Sequence, residues 1–365
     1  MLFNFSGELI RRLCGSTNGT AADLSFAITD MLQESQWRIF LISLYTIVIV
    51  FGFLENLLVF LVIVSNKQLR TVTNIFISTL AVSDIVICVC SLPFQLHYGI
   101  TNHWHFGNVL CRIINPLFAV PIFVSTFTIL AIAVERFVLI VFPFKQKMTS
   151  RTATTVVIII VITSVCLSLP VIMYTNFDEL NIVVPDMNVD IHKTYCTEVW
   201  PSVIANRSYT MFVFIVQFII PYIVICVLYF KIYHSLKMRP LKRKDRRRNY
   251  RTTMILLAIT VFFTISWLPF QIFSVILYFY RLKIVQSLGP AYQFTDLILK
   301  IVAMSSACIN PFFYGWLNDN FRKELGKLVG RNMKKLRLRN TGYTYTVTNH
   351  NEHEIRSITR VNGSN

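Results

Sequence analysis

Apolar and polar positions in this chain segregate into long blocks instead of alternating at short period. Seven apolar runs lie near residues 39-65, 73-98, 109-140, 153-174, 209-234, 253-280 and 292-317. Each reaches the roughly 20 residues that a helix needs to cross a bilayer. A lipid-embedded segment must satisfy its own backbone, so runs of this length predict helices. The fold class expected is an all-α membrane protein, a seven-transmembrane helix bundle. The runs divide the chain into a tail at 1-38, the bundle at 39-317 and two following segments. In the first of these, 318-330, Phe321, Leu325 and Leu328 recur at i, i+4 and i+7. One face is apolar and the other basic, which predicts a short amphipathic eighth helix on the inner leaflet. The polar segment 331-365 is expected to be disordered.

Composition and charge sharpen this reading. The chain has 365 residues, 54% of them hydrophobic and only 15% charged, against about 25% charged in soluble domains. The net charge of +17 raises the question of nucleic acid, but its placement answers it. Basic residues concentrate in Lys67 to Arg70, Lys145 to Arg151, Lys231 to Arg251 and Arg322 to Arg339. With alternating spans these all fall on one side, which the positive-inside rule makes cytoplasmic. The N-terminus is then extracellular in a multi-pass cell-membrane protein, and the basic face attracts anionic membrane lipid. Residues 1 to 19 lack the apolar core of a cleavable signal. Glycosylation sequons begin at Asn4 and Asn18 in the outer tail. Cys88, Cys90, Cys166, Cys226 and Cys308 lie in apolar runs, where a small buried thiol is the ordinary occupant. Cys111 and Cys196 lie on the outer side, in an oxidising compartment.

Polar residues inside the runs carry the functional signal, because such groups are costly at membrane depth. Asn310-Pro311-Phe312-Phe313-Tyr314 ends the last run. Asn56, Asp84, Glu135-Arg136-Phe137, Pro221, Tyr229 and Trp267-Leu268-Pro269 stand in the others. Together these resemble the rhodopsin-like G-protein-coupled receptors, from about Ile39 to Leu328. The resemblance implies a Cys111–Cys196 disulfide. It implies that Asp84, with Asn56, Ser125, Ser306 and Asn310, forms a polar core able to take an allosteric sodium ion, with no other cofactor. It assigns Glu135, Arg136, Phe137, Tyr229, Pro269, Asn310, Pro311 and Tyr314 to activation and G-protein coupling. Arg136 would pair with Glu135 in the closed bundle, and the two tyrosines would approach each other in the active one. The chain departs from the family at Glu55, where Gly is usual, at Ser266, where Cys is usual, and at Ile160, where Trp is usual. Nor is there an acid at the inner end of the sixth run, where Arg246 to Arg251 are basic or polar.

The resemblance also narrows the ligand. Retinal-binding members need a Lys where Met304 stands, and amine receptors need an Asp where Phe118 stands. The segments Leu92-Pro93-Phe94 and His103-Trp104-His105-Phe106-Gly107 resemble neuropeptide Y, neuropeptide F and RFamide-like receptors. This implies an extracellular peptide with an amidated Arg-Phe or Arg-Tyr end. The binding candidates are Phe118, Glu198, Gln217, Trp267, Gln271, Asp296 and Lys300. The partners expected are that peptide, a heterotrimeric G protein of the Gi/o type, arrestin and receptor kinases. A receptor for another peptide or a small ligand is the alternative. A channel or transporter would need pore-lining charges or repeats, a non-signalling receptor would lack Arg136 or Asn310-Pro311, and an enzyme would need a nucleophile–base or metal cluster; the sequence offers none of these signs.

Overall fold

The computed structural model describes residues 31–184, 189–238, 243–317, 326, 343–350 and 353–360. Seven helices in it are long and apolar enough to cross a membrane. They are α1 (Ser35–Ser65), α2 (Val72–Thr101), α3 (Gly107–Val141), α4 (Ser150–Tyr174), α5 (Val203–Met238), α6 (Asn249–Tyr280) and α7 (Lys283–Phe313). α3 packs on α2, α4 and α5, α1 on α2 and α7, and α6 on α7. The apolar side chains facing away from the bundle, such as Phe51, Ile158 and Phe230, remain exposed, as lipid contact requires.

The helix starts follow from side-chain caps. Thr149 accepts from Thr152 N at 3.2 Å and opens α4; Ser202 accepts from Ala205 N at 3.1 Å and opens α5. Such caps satisfy amides that the first turn leaves unpaired. The Ser202 cap lets α5 begin six residues before its apolar run: the capped turn opens on Val203 and Ile204, and the polar Asn206, Arg207 and Ser208 then interrupt the apolar pattern without ending the helix. α7 likewise starts upstream of its run. Tyr280, with φ −126° and ψ 31°, separates it from α6, and Gly289 at φ 52° bends it before Tyr292–Met304.

Proline disturbs four of the helices in a useful way. A proline cannot donate to the carbonyl four residues earlier. Pro121 of α3 therefore frees the carbonyl of Leu117, and Ser91 Oγ of α2 donates to it at 2.9 Å. Pro311 of α7 frees the carbonyl of Ala307, and Asn56 Nδ2 of α1 donates to it at 2.9 Å. Each freed carbonyl becomes an interhelical tie. Widened π-turns precede Pro93 and Pro221, at Ile87–Ser91 in α2 and Phe214–Ile219 in α5, and re-pair the backbone around those rings.

Between α4 and α5 the expected outer loop is an antiparallel hairpin, β1 (Thr175–Val184) and β2 (Val189–Glu198). Its register runs from Thr175↔Glu198 to Val184↔Val189. Phe177, Ile182, Val183, Ile191 and Tyr195 supply the aromatic and β-branched content that strands favour. The Cys111–Cys196 disulfide, with Cα atoms 5.6 Å apart, fastens β2 to the start of α3. A second antiparallel pair, β3 (Tyr343–His350) and β4 (His353–Arg360), lies within the segment expected from its polarity to be disordered. Its Thr, Val, Ile and Tyr residues explain the pairing. The expected amphipathic helix at 318-330 (Gly326 apart) and the sequons at Asn4 and Asn18 lie outside the described residues.

Candidate functional site

The polar residues singled out from sequence form three levels along the bundle, from the disulfide end to the opposite, basic end.

At the basic end, Arg136 Nε lies 3.1 Å from Glu135 Oε2, and Arg136 Nη2 donates to Thr73 Oγ1 of α2. Thr73 Oγ1 in turn lies 3.4 and 3.5 Å from the two carboxylate oxygens of Glu135. The Nε–carboxylate contact is within ion-pair distance but not aligned as a hydrogen bond. It is an electrostatic restraint with a loose directional component. Arg136 is thus drawn toward α2 and its own neighbour. Phe137 packs edge-on against Phe142 at 5.6 Å. Tyr229 is buried, with Thr260 of α6 beside it. Tyr314 lies in the helical segment Ser306–Leu317.

The middle level is the buried polar core. Asp84 is 3% exposed and accepts from Asn310 Nδ2 at 3.0 Å. Asn56 was expected beside Asp84, but its amide is committed elsewhere: Nδ2 donates to Gly52 O at 2.8 Å and to Ala307 O at 2.9 Å. The proline at 311 is the reason, since it leaves Ala307 O in need of a donor. Trp267 Nε1 donates to Ser306 Oγ at 3.1 Å, which donates onward to Ala303 O at 2.8 Å. The indole beside Pro269 is therefore wired to the α7 segment that carries Asn310. Ser125 Oγ is buried without a hydrogen-bond partner. A carboxylate, an unpartnered hydroxyl and an amide oxygen are hard donors of the kind a small cation accepts.

At the disulfide end, Lys300 is 4% exposed and forms an ion pair with Asp296, one helical turn away on α7. The Asp296 carboxylate is thus held by a buried cation. Glu198 Oε2 accepts from Trp200 Nε1 at 3.0 Å and lies near Tyr209. Phe118, Gln217 and Trp267 are all buried, and Gln271 is half-buried. Trp267 sits between Phe263 and Phe270, with ring centroids at 5.8 and 6.1 Å.

Sequence reasoning missed Gln95. It is 2% exposed, and both its amide oxygen and its nitrogen are buried without a partner. Ser91 and Tyr98 on the same helical stripe reach Leu117 O of α3 and Cys196 N of β2. Gln95 thus faces the interior beneath the hairpin. A glutamine inside a greasy run, four residues from a helical serine, is the signal that could have found it.

Seven spanning helices, a disulfide from α3 to the hairpin, and an Asp84–Asn310 core joined to Arg136 by α2 and α3 define a membrane receptor bundle. The chain belongs to the 7 transmembrane receptor (rhodopsin family), which it matches over residues 55–314, and is thus a receptor and not an enzyme. It is 35% identical over 319 residues to the neuropeptide F receptor of Drosophila melanogaster, covering 83% of this chain and 65% of that receptor's length. It is 32% identical over 326 residues to the neuropeptide Y receptor type 6 of Mus musculus, covering 86% of each. With the neuropeptide Y receptor type 1 of Xenopus laevis the identity is 33% over 316 residues, covering 84% of this chain and 86% of that one.

Proposed function

We propose that this receptor binds an extracellular amidated peptide ending in Arg-Phe or Arg-Tyr at the disulfide end and activates a Gi/o-type heterotrimeric G protein from the basic end. The N-terminus then lies outside, the basic loops lie in the cytoplasm, and Asn4 and Asn18 carry glycans. The observation that carries this reading is the relay from Trp267 through Ser306 to the α7 segment whose Asn310 holds Asp84. A ligand pressing on Trp267 moves a residue already bonded to the helix that anchors the core. The relatives named for neuropeptides F and Y support a peptide as that ligand. Gln95 supports an amidated one: its unpartnered donor and acceptor match a carboxamide, and a buried amide left unpaired costs about 1–3 kcal/mol.

On the effector side, the Arg136–Glu135–Thr73 contacts hold the closed state, and their release frees the guanidinium for the G protein. Arrestin and receptor kinases engage the same cytoplasmic face, and anionic lipid gathers at its basic rim. A sodium ion at Asp84, Ser125 and Asn310 would supply the positive charge that a buried carboxylate lacks, favouring the closed bundle. The test is a panel of amidated and free-acid peptides with Arg-Phe and Arg-Tyr ends, applied to cells reporting G-protein dissociation. Amidated peptides should act at concentrations at least tenfold lower than their free acids, and pertussis toxin should abolish the response. Activity of the free acids alone, or none from any peptide, would refute the ligand assignment.

A further inference from the structure

The turn between α2 and α3 concentrates imidazoles that neither the core nor the ligand reading uses. His97 Nε2 of α2 lies 3.1 Å from His105 Nδ1 of the turn. The rings of His103 and His105 are in contact, with centroids 4.1 Å apart. His103 Nδ1 accepts the backbone N–H of Thr194 in β2 at 3.2 Å, and its Nε2 lies 3.4 Å from Thr194 Oγ1. Thr194 is itself the point where the hairpin is buttoned down. Its Oγ1 donates to Trp104 O at 2.5 Å, and its carbonyl accepts from Trp104 N at 2.9 Å.

This network prescribes a protonation state. Thr194 Oγ1 spends its hydrogen on Trp104, so it must accept from His103 Nε2–H. His103 Nδ1 must then keep its lone pair for the Thr194 amide, and the ring is neutral. The His97–His105 contact also needs one nitrogen with a hydrogen and one without. It tolerates a single added charge between the two rings but not two. A proton on His103 Nδ1 would set donor against donor at Thr194.

We propose that His103 is a proton-binding switch that releases β2 from the α2–α3 turn when the surroundings acidify. The charged and titratable groups around it come from every neighbouring element: His97 from α2, His105 from the turn, His192 and Lys193 from β2. Glu179 of β1 stands opposite Thr194 in the hairpin and is exposed. Burial holds the His103 imidazole below its ordinary pKa, and His105, His192, Lys193 and His97 add to the effect. The sign follows: the docked hairpin prefers neutral His103, and the released one takes up a proton more readily. Docking is therefore fully stable above about pH 6.5 and weakens as pH falls below that value. The same acid change turns the rim more positive, so a cationic ligand would meet a looser and less attractive mouth.

The test is hydrogen exchange of the full-length receptor in lipid nanodiscs, corrected for the intrinsic pH dependence of exchange. Protection of the β2 amides around Thr194 should fall about tenfold between about pH 7.4 and about pH 5, the loss of one net hydrogen bond. His103→Gln, whose side-chain oxygen can still accept from Thr194, should keep its protection across that range. His97→Gln should retain the fall. Unchanged protection in the wild-type receptor, an equal fall in His103→Gln, or loss of the fall in His97→Gln would each overturn the assignment. No ligand enters the experiment, so its outcome is separable from that of the peptide reading.

Discussion

The two ends of the bundle are held by different kinds of bond. At the disulfide end a covalent bridge, a ten-residue hairpin register and the Trp104–Thr194 buttons fix the strands over the helices. At the basic end Arg136 is held by one neighbouring carboxylate and one threonine hydroxyl. A covalent tie does not yield to a ligand's few kcal/mol, whereas a part-exposed ion pair does. On the proposed function the contrast divides labour: one end keeps its shape to recognise, and the other is free to open.

Cutting the bridge is the most forceful way to break that contrast. Its closed loop of 85 residues makes it worth roughly 4–5 kcal/mol on a chain-entropy estimate. Cys111→Ser and Cys196→Ser should each reduce surface expression or peptide affinity severely, and the double variant should be no worse than either. Radioligand binding and surface labelling read this out; losses that add would mean that the cysteines act separately.

The Asp296–Lys300 pair comes next. Asp296→Asn strands a nearly buried cation, at about 3 kcal/mol, the low end for a buried pair because the carboxylate keeps 18% of its exposure. The potency of an Arg-containing amidated peptide should fall roughly 100-fold. Lys300→Gln leaves the carboxylate unclaimed and should lower that potency far less. Dose–response curves on both variants decide it, and equal losses would place the ligand's Arg elsewhere.

Much of this was readable in the sequence, for identifiable reasons. Spans depend on local hydropathy alone, so all seven are visible, while α5 and α7 start upstream of their runs because Asn206, Arg207 and Ser208 interrupt the apolar pattern in α5 and a glycine bend does so in α7. Asp84 beside Asn310 followed from the family's motifs. The destination of Asn56 did not, because it depends on which carbonyl Pro311 empties on a helix 251 residues away in the chain. Gln95 and the hairpin were missed for a similar reason: one is a lone polar residue in a greasy run, and the other needs strand pairing across a loop that reads as polar.

Smaller effects separate structural ties from functional ones. Ser91→Ala and Asn56→Ala each leave a proline-freed carbonyl without its donor, at about 1–3 kcal/mol. Both should lower the melting temperature of the purified receptor. Only Asn56→Ala should also change basal signalling, because its carbonyl lies on the α7 segment that carries Asn310. Identical signalling profiles in the two variants would argue that the α7 tie is purely structural.

On the proposed function, recognition and coupling occupy opposite ends of one bundle. Arg136→Ala tests it most directly, with agonist binding and G-protein activation measured at matched surface expression. Activation should be abolished while peptide affinity stays within about threefold of wild type, less than 1 kcal/mol. Activation equal to wild type, or a loss of affinity as large as the loss of signalling, would contradict it.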